Sequence, residues 1–158
     1  MNKRIKRIYV DTSVALGLFD VDETRRAETE MFWNAVRSGV IVVLVSDVFR
    51  DELKDDSAER IYDFFDSLPE NQIERIALTD KSDALARQYI DANVVTEKRL
   101  NDCRHVALAT IHADGIVSWN MRDIIKRKKK YNTVSVAQGY TEIKIATPNR
   151  YKEIYNET

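Results

Sequence analysis

The feature that most constrains the fold of this chain is an unbroken apolar run at residues 40–45, with the sequence VIVVLV. A strand with one face in water alternates apolar and polar residues, whereas this run has no polar position. Such a strand is buried on both faces, as is usual in parallel sheets whose faces are covered by helices. The run therefore predicts a central strand of an α/β fold.

Along the rest of the chain, short β-branched segments alternate with longer segments of helical periodicity. The predicted strands lie at residues 5–10, 40–45, 73–78, 115–119 and 133–136, with a possible strand at 142–145. The predicted helices lie at 23–37, 46–54, 57–68, 80–92 and from Asn101 onward, and Ser46 and Ser57 are expected to be N-caps. Alternating strands and helices indicate βα units and a mainly parallel sheet. We predict one α/β domain over residues 1–158, a three-layer α/β/α sandwich with its core at about 5–145.

Composition excludes several classes of protein. Cys103 is the single cysteine, which excludes both a disulfide framework and a thiolate zinc site. No apolar run approaches the length of about 20 residues that crosses a bilayer. The basic start of the chain lacks the apolar stretch of a signal peptide. We therefore expect a cytoplasmic protein without membrane contact.

The net charge is only −1, but the charges are unevenly distributed. A basic block of five consecutive residues stands out: Lys126, Arg127, Lys128, Lys129 and Lys130. Such a run is commonly a solvated helix end, and beside an acidic site it also suits the backbone of a polyanion. Both interpretations are open from the sequence alone.

Asp11 directly follows the first predicted strand, and Thr12 and Ser13 come after it. A carboxylate at the tip of a buried strand is costly unless another group pairs with it. The usual partner of such a group is a divalent metal ion or a phosphoryl-bearing substrate. Asp11 is therefore the first candidate site residue.

Further acids are expected at the same edge of the sheet, because ligands of open α/β sheets bind outside the carboxyl ends of the strands. Glu52 lies in the helix after the second strand, and Asp102 lies in the first turn of the helix before the fourth. Asn120 ends the fourth strand, with Asp123 three residues later. Carboxylate and amide oxygens are ligands of Mg²⁺ and Mn²⁺, which can activate a water for attack on a phosphodiester.

Four segments resemble the PIN-domain family and, within it, the VapC-type toxin ribonucleases. They are YVDTS at 9–13, SDVFRDEL at 46–53, NDCRHVALA at 101–109 and GIVSWN at 115–120, and the resemblance spans roughly residues 5–145. It implies a PIN-like fold and a metal-dependent endoribonuclease, the toxin of a type II toxin–antitoxin pair. It also implies an RNA substrate, an antitoxin protein as partner and a homodimer. The basic block would then contact RNA.

The resemblance also implies roles for individual residues. Asp11 and Asp102 would be the main ligands of Mg²⁺ or Mn²⁺, and Glu52 would complete the acidic set. Many family members have an acid where this chain has Asn120, and Asp123 is the candidate substitute. The hydroxyls expected to support the acids or the water belong to Thr12, Ser13 and Ser118.

Two other functions remain open from the sequence. The first is a non-catalytic PIN-like RNA-binding module, which Asn120 favours because an amide adds no charge. The second is an aspartyl-phosphate phosphatase or receiver domain, although the phosphatase needs an acid where Ser13 stands. His105 is interpreted as a packing or supporting residue, and Cys103 as a small buried apolar group.

Overall fold

The computed structural model describes residues 5–53 and 55–155, and in them one sheet of five strands forms the centre of the fold. The strands are β1 Lys6–Val10, β2 Ile41–Ser46, β3 Ile73–Ile76, β4 Gly115–Val117 and β5 Lys144–Ala146. They lie in the order β3-β2-β1-β4-β5, and each neighbouring pair is parallel. The predicted parallel α/β sheet is therefore confirmed, and the apolar run at 40–45 forms its second-from-edge strand.

Helices cover both faces of the sheet. They are α1 Thr12–Leu16, α2 Glu23–Arg37, α3 Val48–Glu52, α4 Asp56–Ser67, α5 Asp80–Asp91, α6 Leu100–His112, α7 Lys128–Ala137 and α8 Lys152–Tyr155. Short 3-10 helices lie at Gly17–Phe19, Glu70–Gln72, Glu97–Arg99, Ile125–Arg127 and Pro148–Arg150. Within the described ranges, no helix combines the length and the apolar character needed to span a membrane.

The alternation of side chains along each strand builds two cores. Ile8 and Val10 of β1 point to one side, where they pack with residues of α1, α2, α4 and α8. Tyr9, between them, points to the other side and packs with residues of α5, α6 and α7. The two cores and the sheet between them make the predicted three-layer sandwich.

The predicted strand at 133–136 is wrong, because these residues belong to α7. Tyr131 and Ser135, four residues apart, are the buried residues of this helix, and the Ser135 hydroxyl lies 2.6 Å from the Tyr89 hydroxyl. Val136 is exposed. The β-branched residues favour a strand locally, but packing at helical spacing on one face decides the outcome. The fifth strand is instead β5, which overlaps the possible strand at 142–145.

Both predicted serine caps are also wrong. Ser46 is the last residue of β2, and Asp47 occupies the N-cap position of α3. Asp55 caps α4 and accepts a 2.9 Å hydrogen bond from the backbone N–H of Ser57. Lys54, the predicted end of the preceding helix, lies outside the described residues, as do residues 1–4 and 156–158.

Candidate active site

Asp11 stands at the carboxyl end of β1 and is only 3% exposed. Its side chain does not cap α1, although the residue occupies the N-cap position. Its two carboxylate oxygens instead accept hydrogen bonds from Ser13 Oγ (2.6 Å) and Ser118 Oγ (2.5 Å). Burial raises the pKa of Asp11, while the nearby His105 and the two hydroxyls oppose that rise. The carboxylate is thus held by two hydroxyls rather than used to begin a helix.

The same two serines fix the segment after β4. Ser13 Oγ accepts a 2.9 Å hydrogen bond from the backbone N–H of Trp119, and Ser118 Oγ accepts one of the same length from Asn120. Each hydroxyl therefore donates to Asp11 and accepts from the β4 turn. Ser13 and Ser118 are two of the three residues for which the sequence predicts a supporting role.

Glu52 ends α3 and reaches toward Asp11 from the second strand's side of the site. Its Oε1 accepts a 2.7 Å hydrogen bond from Thr12 Oγ1 and lies 2.5 Å from Nε2 of His105. Its side chain keeps 26% of its surface exposed. Burial alone would raise the pKa of Glu52, but the hydrogen bond and charge of His105, with the Thr12 hydroxyl, hold it below its ordinary value.

His105 is the residue whose role the sequence did not reveal in full. It is 1% exposed, and its Nδ1 lies 2.7 Å from the Tyr9 hydroxyl, which in turn lies 2.7 Å from Ser46 Oγ. Burial would lower the pKa of His105, but the hydrogen bond and charge of Glu52, then the charges of Asp11 and Asp102, raise it. A protonated His105 donates from both ring nitrogens and places a buried cation among the acids.

The available sequence signal for this role was spacing. His105 follows Asp102 by three residues on α6, so both side chains lie on one face of that helix. That spacing favours proximity to the acids, but it does not identify Tyr9 or Glu52 as partners.

Asp102 lies in the first turn of α6 and is partly exposed. Burial raises its pKa to about 6; the charge of His105 opposes this rise, and the charges of Asp11, Glu52 and Asp123 add to it. Within the described residues, no group donates a hydrogen bond to this carboxylate. Asp102 is therefore the acid of the cluster with the least compensation of its charge.

The fourth position of the site involves Asn120 and Asp123. Asn120 Oδ1 accepts a 3.0 Å hydrogen bond from the backbone N–H of Asp123, so this amide oxygen caps the turn after β4. Asp123 is 13% exposed, and its Oδ2 lies 3.4 Å from Nε of Arg99. Its charge raises the pKa of Asp102, which places it at the rim of the same acidic cluster.

The donor chemistry of the site fits a hard divalent cation. No three His, Cys, Asp or Glu side chains of the described ranges already stand together as a metal-binding group. Mg²⁺, however, commonly uses only one or two protein carboxylates and keeps several waters. A cation beside Asp11 and Asp102 would relieve the desolvation and repulsion that raise both pKa values.

Comparison with known proteins establishes the fold. No protein-family model matches the chain, and neither does any curated protein. Among solved structures, the crystal structure of VapC20 from Mycobacterium tuberculosis matches with a TM-score of 0.53 and 14% sequence identity, covering 87% of this chain and 98% of that chain. The chain has a PIN-like fold. VapC20 is described as a sarcin–ricin loop cleaving toxin, but at this identity the likeness shows the fold alone.

In this PIN-like fold, the five residues of the basic block differ in secondary structure and in exposure. Residues Ile125–Arg127 form a 3-10 helix, and Lys128 begins α7. Arg127 is half-buried, whereas the other four members of the block are exposed. The structure thus divides a run that looks uniform in the sequence, and Arg127 lines the same cavity as Asp123.

Proposed function

We propose that this protein is a metal-dependent endoribonuclease of the VapC type. The observation that carries the proposal is the gathering of Asp11, Glu52 and Asp102 at the carboxyl edge of a PIN-like sheet, where their charges act on one another. Acids whose charges repel one another in a partly desolvated site favour a cation. The likeness to VapC20, a toxin that cleaves RNA in the sarcin–ricin loop, supports the same reaction class.

In the proposed mechanism, Asp11 and Asp102 would hold the ion, which would be Mg²⁺ or Mn²⁺. When bound, the ion supplies charge neutralisation at the phosphoryl group and lowers the pKa of a water. Ser13 and Ser118 keep both oxygens of Asp11 in a fixed orientation. Their hydrogen bonds reduce the rearrangement that binding would otherwise require.

Glu52 has a separate role in this mechanism. Thr12 and His105 both contact its Oε1, which leaves Oε2 for an attacking water. A carboxylate with a lowered pKa stays ionised at neutral pH and can accept a hydrogen bond from that water. Glu52 therefore orients the nucleophile, and His105 positions Glu52.

The wider biological setting belongs to the same proposal. The substrate is RNA, the inhibitor is a cognate antitoxin protein, the active form is a homodimer and the compartment is the cytoplasm. We assign the fourth position of the acidic set to Asp123, and the engagement of the Asn120 oxygen in the turn supports this choice.

A non-catalytic RNA-binding module is the second candidate, and one observation favours it. The acids raise the pKa of His105, which lies 2.5 Å from Glu52. A protonated His105 would neutralise part of the acidic cluster from within, so a cation would be less strongly required than among three uncompensated acids. A module of this kind would show no Mn²⁺ site of useful affinity and no change on removal of Asp102.

The deciding experiment measures cleavage of a structured RNA by the purified, inhibitor-free protein with Mn²⁺, with Mg²⁺ and with EDTA. We expect cleavage with either ion, none with EDTA, and at least about 100-fold less with Asp102→Asn or Asp11→Asn. The matched control is Asp91→Asn, which removes an exposed acid at the end of α5 and should cleave normally. Normal Mn²⁺ binding without any cleavage would refute the enzymatic proposal.

A further inference from the structure

Beside the acidic cluster lies a cavity of about 430 Å³ with an unusual charge. Four cationic side chains line it, and they come from two separate segments: Lys98, Arg99, Arg122 and Arg127. The other walls come from residues 93–96, and Asp123 is the single acid. The lining therefore carries an excess of positive charge at neutral pH.

The cavity shares a residue with the proposed active site. Asp123 lines the cavity and pairs with Arg99, and its charge also raises the pKa of Asp102. Arg99 directly precedes α6, whose first turn carries Asp102. An RNA strand that passes Asp102 on the side of Arg99 and Asp123 therefore runs directly into the cationic cavity.

A larger cavity provides a contrast. It has a volume of about 1240 Å³ and lies at the opposite edge of the sheet, where β5 begins. Its cations, which include Lys128, Lys129 and Lys144, face Asp114, Glu142 and Glu153. Its charges are balanced, so it has no comparable attraction for a polyanion, even though it contains two members of the basic block.

We propose that the cavity lined by Lys98, Arg99, Arg122 and Arg127 binds the phosphates of single-stranded RNA immediately beside the scissile bond. This proposal rests on the proposed function and names the surface that holds its substrate. Arginine suits this task because its planar guanidinium donates two parallel hydrogen bonds to phosphate oxygens. Contacts of this kind hold the strand without reading its bases.

The test measures RNA binding without cleavage. A fluorescent single-stranded RNA of about 12 nucleotides is titrated in EDTA against Asp102→Asn protein, and anisotropy gives Kd at several salt concentrations. Two double variants are compared in this Asp102→Asn background. Arg122→Gln with Arg127→Gln is the cavity pair, and Arg150→Gln with Lys152→Gln is the charge-matched control pair. Arg150 and Lys152 are exposed and belong to the C-terminal segment, whose Ile154 packs at the start of β4 on the far edge.

Loss of two phosphate contacts should reduce the slope of log Kd against log salt by about 1.4, at about 0.7 per contact for single strands. If binding converges at 1 M salt, this corresponds to about 25-fold weaker binding at 0.1 M. The control pair should keep the slope of the background protein. Arg122→Lys with Arg127→Lys retains both charges and should also keep that slope.

Several results would overturn the proposal. The first is an equal slope for the cavity pair and the control pair. The second is weaker binding of polyglutamate by the cavity pair while its RNA binding is unchanged, because that result would identify the ligand as an acidic protein segment. If the cavity pair fails to fold, the single Arg122→Gln variant decides, with an expected slope change of about 0.7. Since no cleavage is measured, an inactive wild-type protein would refute the proposed function without deciding this one.

Discussion

Asp102→Asn should stabilise the metal-free protein at neutral pH, although the same change should abolish cleavage. Asp102 is partly buried among Asp11, Glu52 and Asp123, and its pKa is raised from the ordinary 3.8 to about 6. Its ionised form is therefore disfavoured by the fold. Asparagine has nearly the same shape and carries no charge, so the variant avoids that cost.

The magnitude follows from the pKa. A rise from 3.8 to about 6 corresponds to about 3 kcal/mol at 1.36 kcal/mol for each pKa unit. Solvent reaches part of the side chain and screens its repulsion, so we expect a gain of about 1–2 kcal/mol. Loss of one anion near His105 offsets a further part of the gain, because the charge of Asp102 also contributes to the raised pKa of His105.

The gain should depend on pH in a defined direction. The pKa of Asp102 is higher in the folded than in the unfolded protein, so the folded wild-type protein binds this proton more tightly. The contribution of Asp102 therefore lowers the free energy of unfolding as the pH rises from about 4 to 6. The difference between variant and wild type should therefore be near zero at pH 4 and reach its plateau above pH 6. Urea unfolding in EDTA at a series of pH values measures it.

Asp123→Asn is the matched control, since Asp123 lies in the same cluster but pairs with Arg99 at 3.4 Å. Its removal gives up that pairing, so no gain in stability is expected. A destabilised Asp102→Asn protein at pH 7, or a gain that is the same at pH 4 and pH 7, would refute the electrostatic reasoning.

Two further predictions concern buried groups near the site. Tyr9→Phe removes a hydroxyl that lies 2.7 Å from both His105 Nδ1 and Ser46 Oγ. The variant should lower the free energy of unfolding by about 1–3 kcal/mol, because these buried polar atoms lose their partner. Unchanged midpoints of urea unfolding would contradict this prediction. Cys103 is fully buried, and burial raises the pKa of its thiol to about 12. A disulfide reagent at pH 8 should therefore modify Cys103 only when the protein unfolds. Rapid modification of the native protein would contradict the burial of Cys103.

Some positions of the proposed site residues follow from local sequence patterns, whereas other features of the site depend on contacts between distant residues. Asp11 was placed by the end of an apolar strand, and Asp102 by the start of a helix, so both positions follow from short stretches of chain. The contact between Glu52 and His105 joins residues 53 positions apart, and no local pattern specifies it. The wrong strand at 133–136 has the same origin, since Tyr89 lies 46 positions before its partner Ser135.

The sequence pattern alone specified the parallel three-layer fold, and it predicted which edge of the sheet carries the acids. An unbroken apolar run requires cover on both faces, and parallel strands bring all their carboxyl ends to one edge. The contacts of His105 with Tyr9 and Glu52 come from the tertiary structure, as does the position of Arg127, alone of the basic block, in the cavity beside Asp123. These contacts depend on how helices seat against the sheet, which is set by packing between residues far apart in the chain.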